Sequence, residues 1–383
     1  MIGSVVVYGA AETSRIGKVP ETSTLGFHLE AAHRALADAG LSLKDVDGIA
    51  SVSIGGPGPV QVAHALGIEP AYIDGTGVGG SSFMLHVRHA VSAIRTGDAH
   101  VVLITHGESG RSRTGATAWP YYPSSMAAQF EGVYGVSSPA SSFTIPARRF
   151  LRETGNTVEH LAEVAVAQRR WAESNSRAMF RDPITVDDVL GARMITDPFT
   201  LLMCCLVTDG GGALVLTSRE FAEARGSDRP LVEVVGAGEA CETPLISQME
   251  DMSTSRAFRD ASARAFAQAG MGPSEIDHVM IYDAFAHVPL FGLEDAGFVG
   301  RGESGAFIAE GNTSPGGRLP MNTNGGGMSY THTGMYGMFA IQEAVRQLRG
   351  EAEAQVEGVE TSFVLGNGGM FTTAGALVLR RSR

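Results

Sequence analysis

The chain has 383 residues, of which 44% are apolar and 18% charged, and its formal net charge at pH 7 is −12. This is the composition of a globular protein with a large core, and the acidic balance disfavours general binding to nucleic-acid phosphates. The three cysteines lack the paired spacing of a zinc site and are too few for a disulfide framework.

Short apolar strands alternate with helical patterns along the chain. Strands are predicted at residues 4–9, 46–54 and 100–105, and a helix over residues 27–39 stops at Gly40. Such alternation predicts an α/β fold in which helices cover the sheets. No apolar run approaches the roughly 18 residues of a membrane-spanning helix, and the first residues lack a signal-peptide pattern. We therefore expect a cytoplasmic protein.

An internal repeat appears when the chain is shifted by 230 residues. Residues 31–50 and 261–280 share seven identities and the same order of helix, glycine stop, short acidic turn and strand. The alternative is that any two alanine-rich helices ending in glycine look alike. The shared order favours two duplicated halves, with the N-terminal half at 1–225 and the C-terminal half at 226–383.

The segment from about residue 108 to 200 has no counterpart in the second half. It begins with a loop that contains Trp119, Tyr121 and Tyr122, and helical patterns follow at residues 145–154 and 158–175. An insertion of this length in one half predicts a lid or a substrate wall.

Glycine is strongly over-represented, with 49 residues. The stretch from Gly75 to Gly80 has the G-x-G-x-x-G spacing of a dinucleotide-binding turn. However, the acidic residue at the expected distance, Asp98, precedes a strand instead of ending one, which disfavours nicotinamide binding. The alternative use of such a turn is to place a reactive group or an anion at a helix N-terminus.

Three further glycine-rich stretches, at residues 209–213, 322–327 and 365–369, are predicted to be turns. Each alone is most simply a structural turn. Together they predict several loops that converge on one cleft.

Several of these segments, in this order, resemble the thiolase superfamily, and above all the sterol-carrier-type thiolases and lipid-transfer proteins. The similarity is carried by IPARR from Ile145, by HLAEVAVAQRR from His160 and by the run from Arg181 to Leu216. It continues at Tyr282-Asp283-Ala284-Phe285 and in NTNGGGMSYTH from Asn322 to His332. The resemblance implies a five-layered αβαβα fold of two duplicated halves with an inserted loop domain, a homodimer and a coenzyme A thioester as substrate.

The chain departs from this family at the catalytic cysteines. The resemblance places Gly77 at the position of the nucleophilic cysteine and Leu365 at that of the second, acid–base cysteine. Covalent acyl transfer through a thiolate at those positions is therefore excluded. Ser81 is a conceivable substitute nucleophile, but a serine needs an adjacent base, and capping of the following helix is the simpler role.

The resemblance implies that His332 helps to form an oxyanion hole for the thioester carbonyl. Tyr282 and Tyr330 fall in the segments that line the family's active site, and we predict that these three residues are catalytic. The alternative is that the tyrosines only fill the space left by lost catalytic residues. Further residues predicted to line the oxyanion hole or the substrate cleft are Asn322, Gly77, Ser81, Asp283, His287 and Gly368. For His287, a role in the core is the alternative.

Retro-aldol cleavage of a β-hydroxyacyl-CoA suits such a site, because it needs a base, an acid and an oxyanion hole but no nucleophile. With Tyr282 and Tyr330 in the active-site segments and no catalytic cysteine, the chain resembles the aldolases of bacterial steroid side-chain degradation. That similarity implies a small OB-fold or zinc-ribbon partner and no cofactor or metal beyond the coenzyme A of the substrate. Two other functions stay open, namely a non-catalytic acyl-CoA or lipid carrier or scaffold subunit, and a thiolase or acyltransferase with an unrecognised nucleophile.

Overall fold

The computed structural model describes residues 3–52, 56–115, 123–136, 138–226 and 229–382. The aromatic cluster of Trp119, Tyr121 and Tyr122 lies outside the described residues.

The described residues form strands and helices in the alternation that the sequence predicts. The strands are β1 (Val5–Glu12), β2 (Gly48–Ser51), β3 (Tyr72–Asp74), β4 (Val101–Ser109), β5 (Met194–Thr196), β6 (Phe199–Thr200), β7 (Asp209–Ser218), β8 (Leu231–Cys241), β9 (His278–Ile281), β10 (Thr361–Gly368) and β11 (Thr373–Ser382). The helices are α1 (Thr24–Asp38), α2 (Pro59–Leu66), α3 (Ser82–Thr96), α4 (Met126–Phe130), α5 (Pro139–Thr154), α6 (Val158–Glu173), α7 (Val186–Gly191), α8 (Arg219–Arg225), α9 (Arg256–Ala269), α10 (His287–Asp295), α11 (Ser304–Ala309), α12 (Gly326–Ser329) and α13 (Gly337–Arg349).

Nine strands form one mixed sheet in the order β3-β2-β4-β7-β1-β8-β11-β10-β9. The two sides of this sheet repeat each other outward from the β1–β8 pair. On one side, β1 pairs antiparallel with β7, β7 pairs antiparallel with β4, and β4 pairs parallel with β2. On the other side, β8 pairs antiparallel with β11, β11 pairs antiparallel with β10, and β10 pairs parallel with β9. The α/β fold of two duplicated halves is thereby confirmed. The exact domain division at residues 225 and 226 stays a prediction.

The helices form three layers around the two halves of the sheet. One apolar cluster joins α1 and α2 to the outer face of the first half, and another joins α9 and α10 to the outer face of the second half. A third, central cluster holds α3 and α13 between strands of both halves. These clusters give the alternating α, β, α, β, α layers that the resemblance implies.

The helix-to-sheet packing is also duplicated, and it accounts for part of the glycine excess. A Cβ atom on Gly9 would lie 2.3 Å from the carbonyl oxygen of Ala35, and one on Gly236 would lie 2.1 Å from that of Ala265. Glycine on the strand is therefore what allows the repeated alanine-rich helix to approach each half-sheet so closely.

Two of the three glycine-rich stretches predicted to be turns lie in strands, so that prediction is wrong for them. Residues 209–212 begin strand β7, and residues 365–368 end strand β10. Glycine is required there by close packing, since a Cβ atom on Gly211 would lie 2.3 Å from the carbonyl oxygen of His106.

The inserted segment packs against the part of the second half that carries the motif at residues 322–332. Helix α6 contacts α11 and α12. Its Arg169 donates from Nε to the Ser329 hydroxyl at 2.9 Å, and Asn175, just beyond the helix, donates to the Asn324 carbonyl at 3.0 Å. The insertion thus braces the segment that ends in His332.

Candidate active site

Tyr282 lies directly after β9, where the parallel β9–β10 pair ends. Its backbone N–H donates to the Leu365 carbonyl at 2.9 Å, so the pairing of β9 with β10 fixes the backbone position of Tyr282. The aromatic ring lies against the turn before α3, where a Cβ atom on Gly80 would fall 1.8 Å from the Tyr282 Cε1 atom. The tyrosine ring therefore occupies the space beside the glycine turn at which the resemblance implies the family's nucleophile position.

Tyr282 and His332 are in direct contact. The phenol oxygen lies 2.7 Å from His332 Nε2 and 3.4 Å from the Gly334 carbonyl oxygen. Assigning the imidazole proton to Nε2 satisfies both contacts, because the imidazole then donates to the phenol oxygen while the hydroxyl points toward Gly334. Two hydrogen bonds between the backbone of His332 and Thr208 hold the imidazole in place.

Both members of this pair are uncharged near neutral pH. Burial, reinforced by nearby acidic groups, raises the pKa of Tyr282 well above its usual value. Burial also lowers the pKa of His332 to about 4. The two residues are only 5% and 8% exposed, so the phenol hydrogen bond is formed in a site of low dielectric constant. The Tyr282 phenol therefore acts as a hydrogen-bond donor, and the His332 imidazole supports it by donating to the phenol oxygen.

Two of the predicted cleft residues, Ser81 and Gly368, meet beside this pair. Ser81 lies in the 3-10 turn before α3, and its hydroxyl is 3.1 Å from that of Thr373. A Cβ atom on Gly368 would lie 2.3 Å from Ser81 Oγ. Gly77 is partly buried in the loop between β3 and this turn. The hydroxyl of Ser81 thus contacts another hydroxyl and not a base.

Gly80→Ala should displace the Tyr282 ring. Because the added methyl group has no space, we expect the variant to lose about 1–3 kcal/mol of unfolding free energy and much of its turnover. Urea unfolding and steady-state kinetics measure the two effects. Gly191→Ala is the matched control, since a Cβ atom there would have no neighbour within 4 Å and little change is expected. Wild-type turnover in Gly80→Ala would show that the position of the ring is unimportant.

Asp283 and Asn322 hold the backbone that carries the pair. The Asp283 carboxylate accepts hydrogen bonds from the N–H groups of Gly327 and Met328 at 2.7 and 3.2 Å. Burial raises its pKa to about 7, although these N–H groups oppose the shift. The Asn322 amide both accepts from and donates to the backbone of Ile281, at 2.8 and 2.9 Å. Its polar atoms are therefore directed at the end of β9.

Tyr330 is engaged in a different network. Its hydroxyl donates to the buried carboxylate of Glu12 and accepts from Arg177 Nε at 3.3 Å. Arg346 and Arg177 form ion pairs with the same carboxylate, at 2.8 and 3.1 Å. The structure thus pairs the Tyr330 hydroxyl with Glu12, and not with Tyr282 or His332.

His287 is fully buried in an aromatic cage. Its ring lies 5.0 and 5.2 Å from the rings of Phe143 and Phe199, and neither ring nitrogen has a hydrogen-bond partner among the described residues. Burial lowers its pKa to about 3. The structure therefore places His287 in an apolar core that the insertion helps to form.

Two side chains near the pair were not singled out from the sequence. Glu108, at the end of β4, and Cys205, before β7, both lie close enough to raise the pKa of Tyr282 electrostatically. Glu108 follows a run of apolar strand residues, and a carboxylate at such a strand end is a signal that could have identified it. Cys205 gave no signal, because only the fold brings it near Tyr282.

Neither a metal site nor a membrane-spanning helix is found within the described ranges. No group of three or more histidine, cysteine, aspartate and glutamate side chains there could hold a metal ion. None of the helices there is both long and apolar enough to cross a membrane.

Comparison with known proteins supports the interpretation of the motifs. Residues 238–381 match the family described as thiolase C-terminal domain-like. The chain is 35% identical to the 17-hydroxy-3-oxo-4-pregnene-20-carboxyl-CoA lyase of Mycobacterium tuberculosis, over 97% of this chain and 98% of the relative. It is 34% identical to the steroid side-chain-cleaving aldolase of Thermomonospora curvata, over 96% and 97% of the two chains.

A solved structure agrees over the whole chain. The Ltp2-ChsH2(DUF35) aldolase superposes with a TM-score of 0.90 at 32% identity, covering 100% of this chain and 99% of that one. The chain therefore belongs to the thiolase superfamily. Within it, the chain is similar to side-chain-cleaving aldolases. It is also 29% identical to the sterol carrier protein 2 of Rattus norvegicus, over 62% of this chain and 45% of that one, as its motifs predict.

Proposed function

We propose that this protein is an aldolase that cleaves the bond between the α- and β-carbons of a β-hydroxyacyl-CoA. The products are a ketone or aldehyde and a shorter acyl-CoA. The observation that carries the proposal is the contact between Tyr282 and His332 at 2.7 Å. The family resemblance, which implies Gly77 and Leu365 at the positions of the catalytic cysteines, supports it. The lyase and aldolase activities named for the relatives at 34–35% identity support it.

The geometry suits stabilisation of an enolate. When the carbon–carbon bond breaks, negative charge develops on the thioester oxygen, and a preorganised donor in a buried site lowers the energy of that state. Tyr282 keeps its proton because burial raises the pKa of the phenol. Its hydroxyl contact with Gly334 is long, at 3.4 Å, so it can turn from that carbonyl to the substrate oxygen while His332 continues to donate to it.

The substrate is proposed to be a steroid side-chain thioester. The relatives' names describe a pregnene carboxyl-CoA lyase and a steroid side-chain-cleaving aldolase. Coenzyme A enters as part of the substrate, and the reaction needs no further cofactor. We propose a cytoplasmic location, in keeping with three cysteines that are all unpaired.

The proposed assembly is a homodimer that binds a small OB-fold or zinc-ribbon protein. The solved Ltp2-ChsH2(DUF35) aldolase supports a partner of the DUF35 type. Incubation with β-hydroxyacyl-CoAs of different bulk, with and without such a partner, tests both activity and partner requirement. Ketone and a shorter acyl-CoA are the expected products. Tight binding of the thioesters without any cleavage, with and without the partner, would instead indicate the carrier function.

Cys205 is the cysteine to test for a thiolase-like mechanism, because it lies near Tyr282. Burial, together with Asp283, raises the pKa of its thiol far above the usual value, so the reactive thiolate is scarce. We expect Cys205→Ala to keep its turnover, and intact-mass spectra of the wild type with substrate to show no acyl adduct. An adduct on Cys205 would establish the covalent alternative.

A further inference from the structure

The end of strand β4 runs beside the segment that follows His332. His106 and Glu108 lie on the same face of this strand, since alternate residues share a face. His106 Nε2 is 2.8 Å from the Thr333 hydroxyl. A Cβ atom on Gly334 would lie 2.4 Å from Glu108 Oε2 and 2.7 Å from Oε1. The Glu108 carboxyl group therefore lies flat against Gly334, the residue whose carbonyl contacts the Tyr282 phenol.

One of the two oxygens of this carboxyl group is buried without a polar partner. Oε2 is inaccessible to solvent and has no hydrogen-bond partner in the described part of the chain. Burial raises the pKa of Glu108 to about 8, although the charge of Arg113 acts in the opposite direction. Burying a carboxyl oxygen without a hydrogen-bond partner costs stability. Such groups are concentrated where an ionisable side chain takes part in function.

The Tyr282–His332 pair lacks one group that a retro-aldol reaction requires. The phenol stays protonated and the imidazole has a pKa of about 4, so neither is an effective base near neutral pH. Cleavage must begin with removal of the β-hydroxyl proton. An effective general base has a pKa near the working pH and lies within reach of that proton.

We infer that the Glu108 carboxylate is the proton carrier of the cleavage reaction, an inference that rests on the proposed function. It takes the proton of the β-hydroxyl group, whose O–H electrons form the new C=O bond. The electrons of the α–β carbon bond move into the thioester enolate, whose oxygen accepts from Tyr282. The enolate α-carbon then takes the proton from Glu108, which returns to a carboxylate. No net proton, electron or co-reactant is consumed.

The substitution Glu108→Gln tests this role, because it preserves the shape of the side chain and replaces the basic carboxylate with a non-basic amide. We expect turnover to fall by at least about 10²-fold, with thioester binding and the urea midpoint unchanged or the midpoint raised. Glu108→Asp keeps a carboxyl group and should retain clearly more turnover than Glu108→Gln. Equal turnover in Glu108→Gln and the wild type, or equal losses in the Asp and Gln variants, would overturn the inference.

A purely structural role predicts the opposite pattern. In that case Glu108→Gln would lower the urea midpoint or fail to fold, and this result also overturns the inference. Glu131→Gln is the matched control, a buried glutamate of the same insertion whose carboxylate accepts from the Ser247 backbone at 2.8 Å. It should keep its turnover.

The two hypotheses fail in different ways. If the wild-type protein, with its partner, cleaves no β-hydroxyacyl-CoA, the proposed function is wrong. If the wild type cleaves and Glu108→Gln cleaves equally well, only the role of Glu108 is wrong.

Discussion

We expect Tyr282→Phe to lower kcat by about 10²–10³-fold, the usual loss when one oxyanion-hole donor is removed. The ring still fills its place against Gly80, so the fold should persist, and only the hydroxyl that lies 2.7 Å from His332 Nε2 is lost. The donor acts mainly on the charged transition state. Thioester affinity should therefore change little, and kcat and kcat/KM should fall together. Stopped-time product assays and thioester titration measure the two quantities.

Tyr330→Phe is the matched comparison, because it removes the same group from the other tyrosine of the family motifs. From the sequence alone, both substitutions are expected to remove turnover. The structure separates them, since the Tyr330 hydroxyl bonds to Glu12 and Arg177. We expect Tyr330→Phe to lower stability more than turnover. Near-wild-type kcat in Tyr282→Phe, with a large loss in Tyr330→Phe, would reverse the assignment.

The second large effect concerns stability and the network around Glu12. The Glu12 side chain is only 3% exposed, whereas those of Arg346 and Arg177 are 26% and 32% exposed. Removing one partner of a buried ion pair costs about 3–5 kcal/mol. Because the two arginines keep partial contact with water, we expect Glu12→Ala to lose about 2–4 kcal/mol of unfolding free energy. Urea unfolding at pH 7 measures the loss.

The same carboxylate makes stability depend on acid pH. Burial opposes ionisation of Glu12, but Arg346 and Arg177 outweigh it and hold the pKa below its usual value of 4.5. The stabilisation is therefore present above the unfolded-state pKa and is lost as the pH falls through the folded-state pKa. The stability difference between wild type and Glu12→Ala should shrink in this acid range.

Glu21→Ala is the control for the stability prediction, because Glu21 forms an exposed ion pair with Arg15. Exposed pairs contribute little to stability, so little change is expected. Equal stability of Glu12→Ala and wild type at pH 7 would show that the buried network is not stabilising.

The duplicated fold could be predicted from the sequence because its signals are local. The repeated helix, glycine stop and strand reflect one packing arrangement made twice, in which Gly9 and Gly236 admit the helix backbone. The prediction that residues 209–212 and 365–368 are turns is wrong, because it rests on composition alone. Glycine composition does not distinguish a turn from a strand that another backbone approaches closely.

The active site could be predicted only in part. The motifs brought Tyr282 and His332 together correctly, as their contact shows. Where Tyr330 points depends on Glu12, which lies 318 positions away in sequence. The approach of Glu108 to Gly334 likewise depends on how β4 packs against the second half. Such long-range placements are decided by tertiary packing, and no local pattern carries them.

The central claim is that cleavage proceeds without an enzyme nucleophile and without free coenzyme A. The most direct test is product analysis of the purified protein, with a DUF35-type partner, acting on 17-hydroxy-3-oxo-4-pregnene-20-carboxyl-CoA in the absence of added coenzyme A. We predict equal amounts of the steroid ketone and propionyl-CoA. Thiolytic cleavage consumes free coenzyme A as a second substrate. Products that form only when coenzyme A is added, or no cleavage at all, would contradict the account.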